Sequence, residues 1–231
     1  MRRVTISSGG IELLKWLGLV LMTGDHINKY LFNGTLPVLF EAGRLCIPIF
    51  SFVLAYNLAR PDAISAGVHQ RVMLRLFVFG ALASAPFIYL GGLYQGWWPL
   101  NVLFTLLAIT STLYLIERGG SFHWLAAVVF VFGGSMVEYW WPAIAFGAFA
   151  WWYLKDGSPW AVLGAILSCL ALTVINGNYW ALAALPIIFG AAQVNINIPR
   201  LRWVFYLYYP AHLVVIALIR IPMSKAGYLF F

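Results

Sequence analysis

Between Ile11 and Ile221 the chain is nearly continuous apolar sequence, interrupted by short polar breaks at intervals of roughly 14–24 residues, close to the ~20 residues that cross a bilayer as helix. That spacing fixes the solvent before it fixes the fold. Apolar residues make up 63% of the 231 positions and charged residues 9%, too few to cover the outside of a water-soluble globule of this size. Lipid must bathe much of the surface. Backbone polar groups in lipid have to be satisfied internally, which leaves helices or a closed barrel. The lengths of the apolar runs select an all-α polytopic transmembrane bundle, expected as a single integral membrane domain over residues 1–231.

Nine segments are predicted, at about 11–32, 36–59, 70–91, 98–116, 122–136, 139–154, 159–175, 179–192 and 202–221, with eight or ten also compatible. The four between 122 and 192 are short, so they are expected to be tilted or partly re-entrant. The chain begins MRR and turns apolar only after Ile11, with no small-residue cleavage site after a compact apolar core. The first span is therefore expected to be retained.

An excess of Lys and Arg marks cytoplasmic loops. With the N-terminus inside, ten of the fourteen basic residues fall on the cytoplasmic side, among them Arg2, Arg3, Lys15, Arg60, Arg71, Arg75, Arg200 and Arg202. Basic residues that sit singly between apolar runs serve topology and anion binding rather than nucleic acid. Cys46 and Cys169 lie inside apolar stretches and imply no disulfide framework. No Cys/His cluster or HExxH-like spacing points to a metal.

The first span, ELLKWLGLVLMTGDHINKYLF, carries Lys15, Asp25, His26, Asn28 and Lys29 in an otherwise apolar helix. Ionisable side chains at membrane depth cost about 2.5–3.5 kcal/mol each on insertion scales, so they face cavities and have roles. Lys15 and His26 are eleven residues apart, about 16 Å along a helix and within about 20° of one face, so both can line one channel. Asp25 and Lys29 have the spacing of a helix-surface ion pair. In the second span, FEAGRLCIPIFSFVLAYNLARP, Glu41 and Arg44 either pair with each other or, if the chain turns around Phe32 to Pro37, return to the depth of Asp25 and His26.

At the start of the third span Arg71 and Arg75 lie one helical turn apart, with Arg60 nearby. Two guanidiniums so placed fit phosphate oxygens, and positive-inside topology explains them equally. The last span, PRLRWVFYLYYPAHLVVIALIR, places Tyr209, Pro210 and His212 in mid-helix. Pro210 removes one backbone hydrogen bond, and His212 falls near mid-depth. Asn101 and Glu138 are secondary candidates. The tryptophan-rich runs read as interfacial anchors.

A basic cytoplasmic rim with a histidine deep beneath it suits a phosphorylated carrier docked on one face and an acyl acceptor reached from within or across the membrane. The stretches KWLGLVLMTGDHINKYLFNGTLPVLFEAGRLCIPIFSFVLAYNLARP and FYLYYPAHL resemble the TraX family of conjugative-plasmid proteins, and the likeness extends over essentially the whole chain. That resemblance implies a bacterial inner-membrane protein that transfers acetyl from acetyl-coenzyme A to the N-terminal amine of an F-type pilin. The chain is similar, more weakly, to the broader membrane-bound acyltransferases. These carry a basic residue, ten residues and a His in their first helix, as at Lys15 and His26, but have two rather than three residues between the paired arginines of their third helix.

The resemblance implies Lys15, Arg60, Arg71 and Arg75 at the coenzyme A phosphates, Arg44 on the thioester oxygen and His26 as base or transient nucleophile. It also implies Asp25 as the partner that orients or tunes His26, with Glu41, His212 and Tyr209 on the acceptor side. Two other readings fit the same residues. One is a transporter or pilin-handling scaffold with a proton-relay or binding cluster, and the other is an acyltransferase acting on a sugar hydroxyl.

Overall fold

The fold is available as a computed structural model that describes residues 3–92 and 96–230; Arg2, counted above on the cytoplasmic side, lies outside the described residues. About three quarters of the chain is helical. The described residues form nine helical stretches, each overlapping one predicted apolar segment.

Helix α1, Ser8–Leu31, starts three residues before the predicted segment because Ser7 caps it, its hydroxyl accepting from the Gly10 N–H at 3.0 Å. The second stretch is broken into α2, Pro37–Gly43, and α3, Cys46–Leu58. Pro48 is the cause: it has no N–H to offer the Arg44 carbonyl, so the chain tightens there, with Arg44 N–H donating to Glu41 O and Leu45 N–H to Ala42 O. Helix α4, Val68–Tyr89, and α5, Val102–Arg118, follow. The latter begins four residues after the predicted boundary because Asn101 caps it, accepting from the Leu103 N–H at 3.2 Å.

Helices α6, Phe122–Val128, and α7, Gly134–Met136, are joined through one wider turn at Val129–Gly133. Next come α8, Trp140–Asp156, α9, Pro159–Ala171, and α10, Thr173–Asn176. Helix α11, Ala184–Gly190, is flanked by tighter turns, and α12, Val204–Lys225, closes the fold.

Four of these stretches are long and apolar enough to cross a membrane: Pro37–Leu58, Val68–Tyr89, Pro159–Asn176 and Val204–Lys225. Helix α1 has the length, and its ionisable residues set it apart from those four. The outer faces of α4 and α12 are apolar and exposed, as at Leu74, Phe77 and Leu82, and at Leu207, Val214 and Leu218. Such bands are at home only in lipid.

Three apolar clusters hold the helices together. One joins Leu14 of α1, Phe52 of α3, Phe146 of α8 and Ile188 of α11. Another joins Tyr30 of α1, Phe87 of α4, Leu103 of α5 and Leu213 of α12. A third joins Leu58 of α3, Ile109 of α5 and Ile144 of α8. Between the first two clusters the helices separate and leave an internal cavity.

Candidate active site

The cavity has a volume of about 730 Å³ and is lined mainly by α1, α3, α4 and α12. On α1 its walls include Lys15, Leu19, Met22, Asp25, His26 and Lys29, so the face predicted from the Lys15 to His26 spacing is the face turned inward. At one end stand Arg60, Arg71, Arg75, Arg200 and Arg202 together with Lys15. Lys15 pairs with the buried Glu12 at 2.7 Å and lies over the Phe205 ring, while the Arg75 guanidinium rests over Trp203 at 4.6 Å. None of the five arginines has an ion-pair partner among the described residues. At the other end the walls include Gly34 and Phe40, both exposed in the turn between α1 and α2 and at its edge.

About three turns of α1 below Lys15, the His26 ring lies parallel to His212 of α12, and its Nδ1 is 2.7 Å from His212 Nε2. His212 Nδ1 is 2.9 Å from the Tyr208 carbonyl. A carbonyl only accepts, so His212 Nδ1 carries a proton. In the neutral ring Nε2 is then an acceptor, and His26 Nδ1 must donate to it. The consequence is a single tautomer of His26, with the Nε2 lone pair unoccupied and the ring partly exposed to the cavity. Tyr208 is itself steadied by its hydroxyl contact with Thr23 at 2.8 Å and by stacking on His212. His212 is buried behind His26 and is not part of the cavity wall.

Asp25 is bonded to Arg44, and the hydrogen bond at His26 Nδ1 is to His212. The Asp25 Oδ2 accepts from Arg44 Nη2 at 2.7 Å, which settles what the turn at Phe32 to Pro37 does: it brings the second stretch back beside the end of α1. The turn is pinned by the buried Asn28, whose side-chain oxygen accepts from Leu36 N–H and whose carbonyl accepts from Gly34 N–H. Arg44 is held further by its Nε donating to Phe40 O at 3.0 Å, by its Nη1 donating to Asn176 Oδ1 at 3.5 Å and by the Phe40 ring beneath it; these bonds and the one to Asp25 use three of its five N–H groups, and the residue lines the cavity. The close approach depends on Gly43, because a Cβ there would lie 2.5 Å from the Asp25 Cβ.

Lys29 makes no ion pair with Asp25; its ammonium donates to the Gly92 carbonyl at 2.8 Å. Glu41 is half-exposed, lies outside the cavity wall and makes no ion pair with Arg44. Tyr209 is buried, lines the cavity and has its ring 6.1 Å from that of His26.

Arg200, Arg202, Tyr139 and Glu138 also belong to the wall. In the sequence the two arginines sit among basic residues already assigned to the expected cytoplasmic side. Glu138 arrives through pairing with a distant loop, which no local pattern announces.

A family model described as TraX protein matches residues 10–220. Protein TraX of Escherichia coli is 32% identical over 121 residues, which are 52% of this chain and 46% of that relative, so the chain spans about half the length of the curated relative it matches. No solved structure matches the chain. The family match runs from the start of α1 into the last turns of α12 and takes in the histidine pair, the Asp25–Arg44 pair and the basic end of the cavity: the chain belongs to the TraX protein family.

Proposed function

We propose that this protein is a multi-pass acetyltransferase of the bacterial inner membrane, with its N-terminus in the cytoplasm, that moves an acetyl group from acetyl-coenzyme A to the N-terminal amine of a pilin subunit. The observation that carries the reading is that one cavity joins a basic end to a histidine whose Nε2 is held ready to accept a proton. Lys15, Arg60, Arg71, Arg75, Arg200 and Arg202 suit the phosphates of coenzyme A, guanidiniums binding such oxygens through paired N–H donors. The roughly 16 Å from Lys15 to His26 is to be spanned by the carrier's extended thioester-bearing arm.

His26 Nε2 then takes a proton from the attacking amine. The amine nitrogen bonds to the acetyl carbon, the carbonyl oxygen becomes an oxyanion stabilised by the remaining N–H groups of Arg44, and collapse breaks the C–S bond. The His26 proton passes to the departing thiolate, giving free coenzyme A and the N-acetyl product. His212 and the Tyr208 carbonyl keep the base in the correct tautomer. Asp25 keeps Arg44 aimed. The Gly34 and Phe40 end of the cavity is the route for the acceptor, opposite the donor.

The test is acetylation of a peptide carrying a pilin N-terminus by purified protein in nanodiscs, supplied with acetyl-coenzyme A and followed by mass spectrometry. Transfer to the α-amine supports the reading. Acetylation of a saccharide hydroxyl in place of the peptide redirects it to another acceptor, and a folded protein that neither binds nor consumes acetyl-coenzyme A replaces it with a scaffold or transporter.

A further inference from the structure

Only two carboxylates line the cavity among the described residues, against eight basic side chains. One, Asp25, is spoken for by Arg44. The other, Glu138, is buried and makes no ion pair among the described residues. Lys29 is the cation whose charge acts most strongly on it, yet the Lys29 ammonium is engaged by the Gly92 carbonyl and the Tyr30 ring.

The backbone around Glu138 shows that the carboxylate is placed rather than left over. Residues Leu100 and Val137 form an isolated bridge, with Leu100 N–H donating to Met136 O at 2.7 Å and Glu138 N–H to Leu100 O at 3.0 Å. Thr105 Oγ1 donates to the Glu138 carbonyl at 2.7 Å. The two residues that follow, Tyr139 and Trp140, have φ of 63° and 48°, left-handed conformations that non-glycine residues adopt at a cost of about 1–3 kcal/mol each. The carboxylate also meets the Val102 N–H at the start of α5, where Asn101 takes the Leu103 N–H, and this contact fixes its place at the cavity wall while leaving its charge without a cationic partner among the described residues.

We infer that Glu138 is the anchor for the acceptor's primary ammonium, and thus the residue by which the site selects a chain-terminal amine over a neutral hydroxyl. This rests on the acetyltransferase reading above. The chemistry of an ammonium acceptor asks for such a group. An acceptor entering as R–NH3⁺ sheds two protons on its way to R–NH–acetyl, and only one of them leaves with the thiol of coenzyme A by way of His26. The other must be received before attack, and the Glu138 carboxylate that holds the ammonium receives it and passes it to water.

The experiment measures binding of alaninamide and of N-acetylalaninamide to the full chain in phosphatidylcholine nanodiscs, whose lipid carries no primary amine, for wild type and Glu138→Gln. At pH 7 the wild type is expected to bind alaninamide at least about tenfold more tightly than its acetylated form, and Glu138→Gln to lose about that factor while keeping its affinity for acetyl-coenzyme A. Raising the pH above the α-amine's ordinary pKa of about 8 removes the difference between wild type and variant, which a merely structural role for Glu138 would not do.

Equal alaninamide affinities for wild type and Glu138→Gln at pH 7 overturn the inference. If the variant does not fold, equal affinity of the wild type for the two amides overturns it as well. Failure of the wild type to bind acetyl-coenzyme A removes the acetyltransferase reading and leaves the amide measurements to decide Glu138 on their own.

Discussion

His26 Nδ1 lies 2.7 Å from His212 Nε2 across 186 positions of sequence, and the orientation of that contact decides which nitrogen of His26 can act. Because His212 is fixed by its own bond to the Tyr208 carbonyl, the pair leaves His26 Nε2 as the acceptor.

Loss of His212 should therefore lower turnover without disturbing the donor end. For His212→Ala we expect kcat to fall about a hundredfold, the lower range for general base catalysis, with acetyl-coenzyme A affinity changed by less than about twofold. His212→Gln, whose amide oxygen can still accept from His26 Nδ1, should recover part of the rate. Steady-state kinetics with binding measured in parallel checks both. Unchanged kcat in the alanine variant would remove the tautomer argument.

The Asp25–Arg44 pair should show coupling. Both side chains are nearly covered, so removing either leaves a charge with no ion-pair partner, at a cost of about 3–5 kcal/mol to stability. Arg44→Gln should in addition lose about a hundredfold or more in kcat, as the removal of an oxyanion donor does elsewhere. In thermal unfolding the double variant Asp25→Asn, Arg44→Gln should be less destabilised than the sum of the single variants. Strict additivity would mean that the pair contributes nothing as a pair.

Gly43→Ala places a methyl group where the Asp25 Cβ already lies, 2.5 Å away. Overpacking at such a contact costs about 1–3 kcal/mol. We expect a lowered Tm and, because the turn that aims Arg44 must shift, a fall in kcat larger than any change in donor affinity. A variant with wild-type Tm and rate would show that α1 and α2 do not need this approach.

The basic end should bind through charge. Substituting Gln singly at Arg71, Arg75, Arg200 or Arg202 is expected to weaken acetyl-coenzyme A binding about threefold to tenfold, with little effect on kcat at saturation, and the wild-type affinity should fall as salt is raised. Titrations at two salt concentrations check this. If the Arg200 and Arg202 variants bind normally, the donor reaches only the α4 side of the cavity mouth.

Much of this was legible in the sequence where the signal is local. Nine apolar runs fell on nine helical stretches, because apolar length and the polar breaks between runs act residue by residue. The inward face of α1 followed from helix geometry, since Lys15 and His26 repeat after about three turns. The return of Arg44 to Asp25 was one of two arrangements the sequence left open, and the turn near Gly34 decides between them.

What stayed hidden depends on contacts between distant segments. The resemblance made Asp25 the partner of His26, although side chains one residue apart on a helix point about 100° apart, and the sequence alone could not say which distant residue stands there instead. His212 takes that place from another helix. The break at Arg44 and Leu45 follows from Pro48, whose effect on the carbonyl four residues earlier is local and was there to be used. Glu138 could not be ranked above Asn101 from sequence, because the bridge from Leu100 to Val137 is what brings it into the cavity.

The most direct test of the account is to compare wild type with His26→Ala for both binding and turnover of acetyl-coenzyme A in nanodiscs, with a pilin N-terminal peptide present. The account predicts donor affinity within about twofold of wild type, because the phosphates are bound about 16 Å away, and a loss of at least about a hundredfold in transfer. A His26→Ala protein that transfers acetyl at the wild-type rate would contradict it.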